Sequence, residues 1–155
     1  MRLALFQPDI PQNTGTILRL TACLGVETHI IGPAGFDMTD RALRRAGLDY
    51  LSEADLTRHA SWDVFLQHHR GIASSRLLLL TTQASTAYTT FAFQPGDCLL
   101  LGRESAGAPE YVHLAADHRL AIPIKQSLRS LNIAVSAAMV LGEALRQTAS
   151  FPAGA

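Results

Sequence analysis

Two short loops carry most of the side chains in this sequence that could do chemistry. In LLLGRESAGAP, residues 99–109, a glycine-edged turn holds one carboxylate, Glu104, between Gly102 and Gly107. In IPIKQSLRSLNIAVSAAMVLGEA, residues 122–144, Ser130 and Asn132 stand just before a long run of small apolar residues. Polar side chains at the mouth of a buried-looking helix have two readings. They cap the helix by accepting its free N–H groups, or their loop grips a ligand. Gly102 has no Cβ and so allows close approach to the backbone. Exposed main-chain amides and carbonyls there could hold an adenine edge without side-chain help. A third polar stretch, PDIPQNTGTILRLTACLG at 8–25, adds Asn13 and Arg19.

Several chemistries are disfavoured. No G-x-G-x-x-G follows the first apolar run, and GRESAG lacks the Lys-Ser/Thr pair of a P-loop. No G-x-S-x-G nucleophile elbow occurs. A zinc site has almost no support, because no pair among the two cysteines and six histidines has structural-site spacing. Cys23 and Cys98 sit in apolar runs and read as reduced core residues. The adjacent His68 and His69 read as surface residues.

The elements that must position these loops follow from the apolar pattern. Strands are expected at 2–6, 27–33, 76–82, 97–104 and 118–124, several of them continuous apolar runs of the kind buried on both faces of a parallel sheet. Helices are expected at 16–24 with Gly25 as the stop, at 39–46, somewhere within 52–69 with Trp62, Phe65 and Leu66 on one side, at 109–116 with Pro109 in the first turn, and from about Leu131 to Thr148. QPDIPQNTG, with two prolines, reads as a loop. Alternation of strand and helix makes this an α/β protein with an open, mostly parallel sheet flanked by helices. Ligands of such sheets bind beyond the C-terminal strand ends. Four expected strands end in polar or glycine-bearing loops: QPDIPQNTG, LTTQAS, LGRESAG and IPIKQSLRS. The 155 residues, 48% hydrophobic, fit one domain over 1–150 with a flexible Gly/Pro/Ala tail at 151–155. Net charge is zero, so any nucleic-acid patch must be local. The short apolar start is no signal peptide, and no uncharged run reaches membrane-spanning length, so the protein is expected in the cytoplasm.

The three stretches 8–25, 99–109 and 122–144, in that order, resemble the motifs of the SPOUT superfamily of RNA methyltransferases. HIIGPAGFDMTDRALRRAGLDY at 29–50 extends the likeness to the small tRNA wobble-nucleotide 2′-O-methyltransferases. The resemblance spans Arg2 to about Thr148. It implies a deep C-terminal trefoil knot, a homodimer with the last helix at the contact, S-adenosylmethionine as methyl donor, and no metal. By the same likeness, Leu80, Gly102, Ile122, Ser130 and Leu131 would bind the cofactor, chiefly through main-chain atoms. Arg19 would act at the ribose 2′-OH, as an electrostatic orienter more readily than as a base, since arginine keeps its proton. Asn13 would help fix its loop, Glu104 would hold Arg19 or the loop in place more readily than act as a general base, and Asn132 would orient the nucleophile. Each has a plainer reading: a snorkelling surface arginine, a turn residue, a surface ion pair, and helix caps for Asn132 and Ser130. Arg41, Arg44, Arg45, Lys125 and Arg129 would contact tRNA phosphates, or form a solvated face. The rival functions are a methyltransferase acting on ribosomal RNA, disfavoured because the chain starts at its first strand, and a non-catalytic RNA-binding or cofactor-sensing module.

Overall fold

A computed structural model describes residues 1–39 and 54–153. The strands are β1 (Arg2–Phe6), β2 (Glu27–Ile31), β3 (Leu56–His59), β4 (Leu77–Leu80), β5 (Thr86–Ala87), β6 (Cys98–Leu101) and β7 (His118–Ala121). They form one sheet in the order β3-β2-β1-β6-β4-β7-β5, and every pairing is parallel. The helices are α1 (Pro11–Leu24), α2 (Trp62–Arg70), α3 (Glu110–Ala115) and α4 (Ile133–Gln147), with a 3₁₀ turn at Tyr88–Thr90.

The apolar strand runs are buried because both sheet faces are covered. Side chains alternate across a strand, so Leu3, Leu5, Leu78, Leu99 and Leu101 pack on one face with Ile17 and Leu18 of α1 and Val140, Leu141 and Leu145 of α4. Ala4, Phe6, Leu77, Leu79 and Leu100 pack on the other with Trp62 and Phe65 of α2 and Val112 of α3. The expected apolar side of α2 is therefore present, with Leu66 packed at its margin.

Several boundaries differ from the sequence expectation. α1 begins at Pro11, five residues before the expected start, so Asn13 and Gly15 are helical rather than part of a turn. Proline is well placed in a first helical turn, where its missing N–H costs nothing and its φ is already helical. Gly25 ends α1 as expected, at φ 63°. The helix expected within 52–69 is α2, and Leu56–His59 before it is a strand that adds to the sheet edge beside β2, a tertiary pairing that no local pattern announces. Pro109 is the residue before α3, not within its first turn. α4 starts at Ile133 and is capped by Asn132, whose side chain accepts from the N–H groups of Ala134 (2.8 Å) and Val135 (3.4 Å). Cys98 is buried, but Cys23 is exposed on α1, against the core reading; both are free thiols. The expected helix at 39–46 lies outside the described residues, as do Arg41, Arg44 and Arg45, apart from Thr39 at its start. Among the described residues, no helix is long and apolar enough to cross a membrane.

Candidate active site

β1, β6, β4 and β7 are neighbours in the sheet and run the same way, so their C-terminal loops share one edge. There they enclose a cavity of about 600 Å³, within the range of small-molecule and cofactor sites. Each of the four expected loops contributes to its wall: Ile10 and Asn13 after β1, Thr81–Gln83 after β4, Gly102–Glu104 and Ala106–Ala108 after β6, and Ile122, Ile124 and Arg129–Asn132 after β7. All five residues expected to bind the cofactor, Leu80, Gly102, Ile122, Ser130 and Leu131, line this one space. So do Asn13, Glu104, Asn132 and Arg129.

A directed chain of hydrogen bonds ties three of the loops together. Asn132 Nδ2 donates to Asn13 Oδ1 at 3.0 Å, and Asn13 Nδ2 donates to Glu104 Oε1 at 3.3 Å. Glu104 Oε2 accepts from the Asp9 N–H at 3.1 Å, and Asp9 Oδ1 accepts from the Glu104 N–H at 3.2 Å. Ser105 Oγ donates to Asp9 Oδ2, and the Arg103 guanidinium lies 3.7 Å from the same oxygen. The two asparagine amides both donate in the direction of Glu104, because Asn132 must turn its own oxygen to the α4 cap. Asn132 thus both caps the helix and reaches across to α1. Ser130 is exposed and does not cap α4, which removes its plainer reading.

The two carboxylates of this network are pushed in opposite directions. Asp9 is held down at about 2, first by its hydrogen bonding with Glu104. Glu104 is pushed up, first by burial and then by Asp9. A carboxyl group poised in this way beside a cavity marks a functional candidate. Asp9 was missed in the sequence; its one visible signal is a carboxylate between two prolines in the loop that also carries Asn13. His113 of α3, buried at the cavity wall, was missed as well.

Gly102 also has a reason within its own loop. A Cβ there would meet Gly107 C at 2.6 Å and Ala108 N at 2.7 Å. The close approach is made by the loop's own backbone, which doubles back through paired bonds between Arg103 and Gly107 (3.0 and 2.8 Å), with Gly107 at φ 68°. Arg19 is exposed on α1, six residues beyond Asn13 and so about 9 Å along the helix axis. It does not line the cavity. Lys125 is exposed and also lies outside the lining.

A parallel α/β sheet with a polar cavity over four strand ends defines an α/β ligand-binding protein, and comparison with known proteins narrows it. The chain belongs to the SpoU rRNA methylase family, whose model matches residues 1–142. It is similar to a protein of Beijerinckia indica subsp. indica named tRNA (cytidine(34)-2′-O)-methyltransferase, 61% identical over 94% of this chain and 90% of that one. A protein of the same name from Escherichia coli K12 is 39% identical, over 95% of this chain and 93% of that one. A solved structure described as giving insight into 2-OH methylation of C/U34 on tRNA superposes with a TM-score of 0.85 at 39% identity, covering 94% of this chain and 89% of that one. The AdoMet complex of the SpoU methyltransferase AviRb from Streptomyces viridochromogenes gives 0.82 at 26% identity, covering 95% of this chain and 60% of that one.

Proposed function

We propose that this chain is a tRNA 2′-O-methyltransferase that uses S-adenosylmethionine to methylate the ribose of the wobble nucleotide, cytidine or uridine 34. The observation that carries the reading is the convergence of all five expected cofactor residues, with Asn13, Glu104 and Asn132, on one cavity. The 61% identity to a protein of that name over nearly the full chain supports the substrate.

The residues present fit the cofactor. The cavity volume suits it, the side chains of Leu80, Ile122 and Leu131 offer apolar walls for a purine, and the loops at 102–108 and 129–132 offer main-chain donors and acceptors. When bound, S-adenosylmethionine supplies a methyl group made electrophilic by its sulfonium. The chain's task is then to align the ribose 2′-OH and stabilise the charge that grows on its oxygen. Glu104, anchored by Asn13 and Asp9, holds the β6 loop in shape beneath the reacting groups. Asn132 couples that loop to α4. Arg19 orients the 2′-OH or a neighbouring phosphate through its planar guanidinium. RNA is required because DNA has no 2′-OH. Arg129 at the cavity rim, with Lys125, Arg41, Arg44 and Arg45, takes the phosphates.

The reading includes a homodimer. Val135 and Met139, four residues apart on α4, are 49% and 39% exposed. Such a stripe suits a second copy. It also includes a deep knot. After β7 the chain passes back across the ends of β4 and β6 to meet α1 at Asn13, a crossing that a knot would require. A cytoplasmic location accords with a tRNA substrate.

The test is direct. The purified chain, S-adenosylmethionine and unmodified tRNA are incubated, and the methylated nucleotide is mapped by nuclease digestion and mass spectrometry. A 2′-O-methyl group at position 34 is expected. Methylation of ribosomal RNA instead, or cofactor binding without turnover, overturns the proposal.

A further inference from the structure

On the face of the sheet that carries α2, four histidine rings gather around the β2–β3 edge. Glu27 and His29 are two residues apart on β2 and therefore point to the same face. α2 lays His68 over that face. One ligating atom each from Glu27, His29 and His68 lies within 4.8 Å of the other two. Behind them, His29 Nδ1 is 3.0 Å from His59 Nε2.

The chemistry turns on the second ring nitrogen of His29. The residue is fully buried, and its Nε2 has no hydrogen-bond partner among the described residues. Glu27 Oε1 is 3.3 Å away but out of hydrogen-bond geometry. Buried polar atoms are rarely left unsatisfied, so a lone pair aimed into a carboxylate–imidazole cluster asks for a cation. The His29–His59 contact supplies the tautomer for it. With its proton on Nδ1, His29 donates to His59 Nε2 and leaves Nε2 free to ligate. This is the arrangement in which a second group orients a metal-bound imidazole.

We propose that Glu27, His29 and His68 form a binding site for a divalent first-row transition cation, held in place by His59 and separate from the methyl-transfer cavity. Two imidazoles and one carboxylate are a donor set that zinc accepts, with water as the fourth ligand. Metal–ligand distances of about 2.0–2.1 Å set tetrahedral ligand spacings of about 3.3 Å. His68 is exposed and the Glu27 side chain is 33% exposed, so both can draw in toward the fixed His29. The ion would clamp α2 to β2, the neighbour of β1 on the side away from β6, β4 and β7. It would act on stability and not on the methyl-transfer step.

The experiment titrates Zn²⁺ into the tag-free, chelator-treated chain by calorimetry against a competing chelator. One ion per chain is expected, with about tenfold or greater weakening in both His68→Ala and Glu27→Gln, whose side chains face solvent and leave the core intact. His118→Ala, an exposed histidine on β7, should bind as the native chain does. At a hundredfold excess over the native Kd, Zn²⁺ should raise the native Tm by about 5–10 °C and that of His68→Ala by no more than about half as much. Absence of one-to-one binding by the native chain overturns the proposal, as does unchanged affinity in His68→Ala and Glu27→Gln.

Discussion

Replacing Glu104 with glutamine tests the loop-locking relay because it keeps the shape and changes one acceptor into a donor. The new amide can still accept from the Asp9 N–H, as Glu104 Oε2 does at 3.1 Å. Its NH₂ then faces Asn13 Nδ2, which donates to Glu104 Oε1 at 3.3 Å, so two donors meet. Turning Asn13 over passes the conflict to Asn132 Nδ2. Turning Asn132 as well strips the α4 cap of its bonds from Ala134 and Val135, at roughly 0.5–2 kcal/mol. The least costly outcome is loss of the 104–13 bond. A hydrogen bond to a charged group contributes about 1.5–3 kcal/mol. Glu104 is only half-buried and water can partly replace its partner, so about 1–2 kcal/mol is expected. That corresponds to roughly tenfold weaker cofactor binding, if binding needs the locked loop. Glu104→Gln combined with Asn13→Asp restores every pairing: the introduced aspartate accepts both from the new amide at 104 and from Asn132. Urea unfolding, cofactor calorimetry and single-turnover methyl transfer on the two single variants and the double variant form a cycle with an expected coupling of about 1 kcal/mol or more in favour of the double. Strict additivity would refute the relay. A double variant that regains stability and cofactor affinity yet transfers no methyl group would refute the positioning role and make Glu104 the base.

Arg19→Ala should leave cofactor affinity nearly unchanged, since the residue does not line the cavity, while single-turnover methyl transfer falls by about 10²–10³; a native rate with weaker tRNA binding would make Arg19 a phosphate contact. Met139→Lys, in the exposed stripe of α4, should yield a monomer by light scattering; a native mass in solution would remove that face from the contact. Asp9 has its carboxyl depressed from 3.8 to about 2, so its contribution to stability is present above the ordinary value and is lost as pH falls through the folded one. Asp9→Asn should therefore lower the urea midpoint most near neutral pH. Its gap from the native chain should close as pH falls from about 3.8 toward about 2; a gap independent of pH would rule out the carboxylate as the source.

Five strands were legible from the sequence alone, three of them because a strand buried on both faces is a continuous apolar run and the loop that ends it is abruptly polar. RLALF, LLLL and CLLL are of this kind. The cavity followed, since parallel neighbours place those loops on one edge. β3 was not legible: LTRH has no strand pattern of its own and is held by its pairing with β2. The early start of α1 was hidden by two prolines that read locally as a loop. Which of Ser130 and Asn132 caps α4 was open in the sequence, because both side chains can accept an N–H and one or two residues of register decide it. Asp9 and Glu104 stand 95 positions apart in the chain and meet in paired hydrogen bonds. Glu27, His29, His59 and His68 have no metal-site spacing, and only β2, β3 and α2 packed together bring them within reach. Periodicity along a chain records which face of an element is apolar; it carries no record of which distant polar groups those faces then carry into contact.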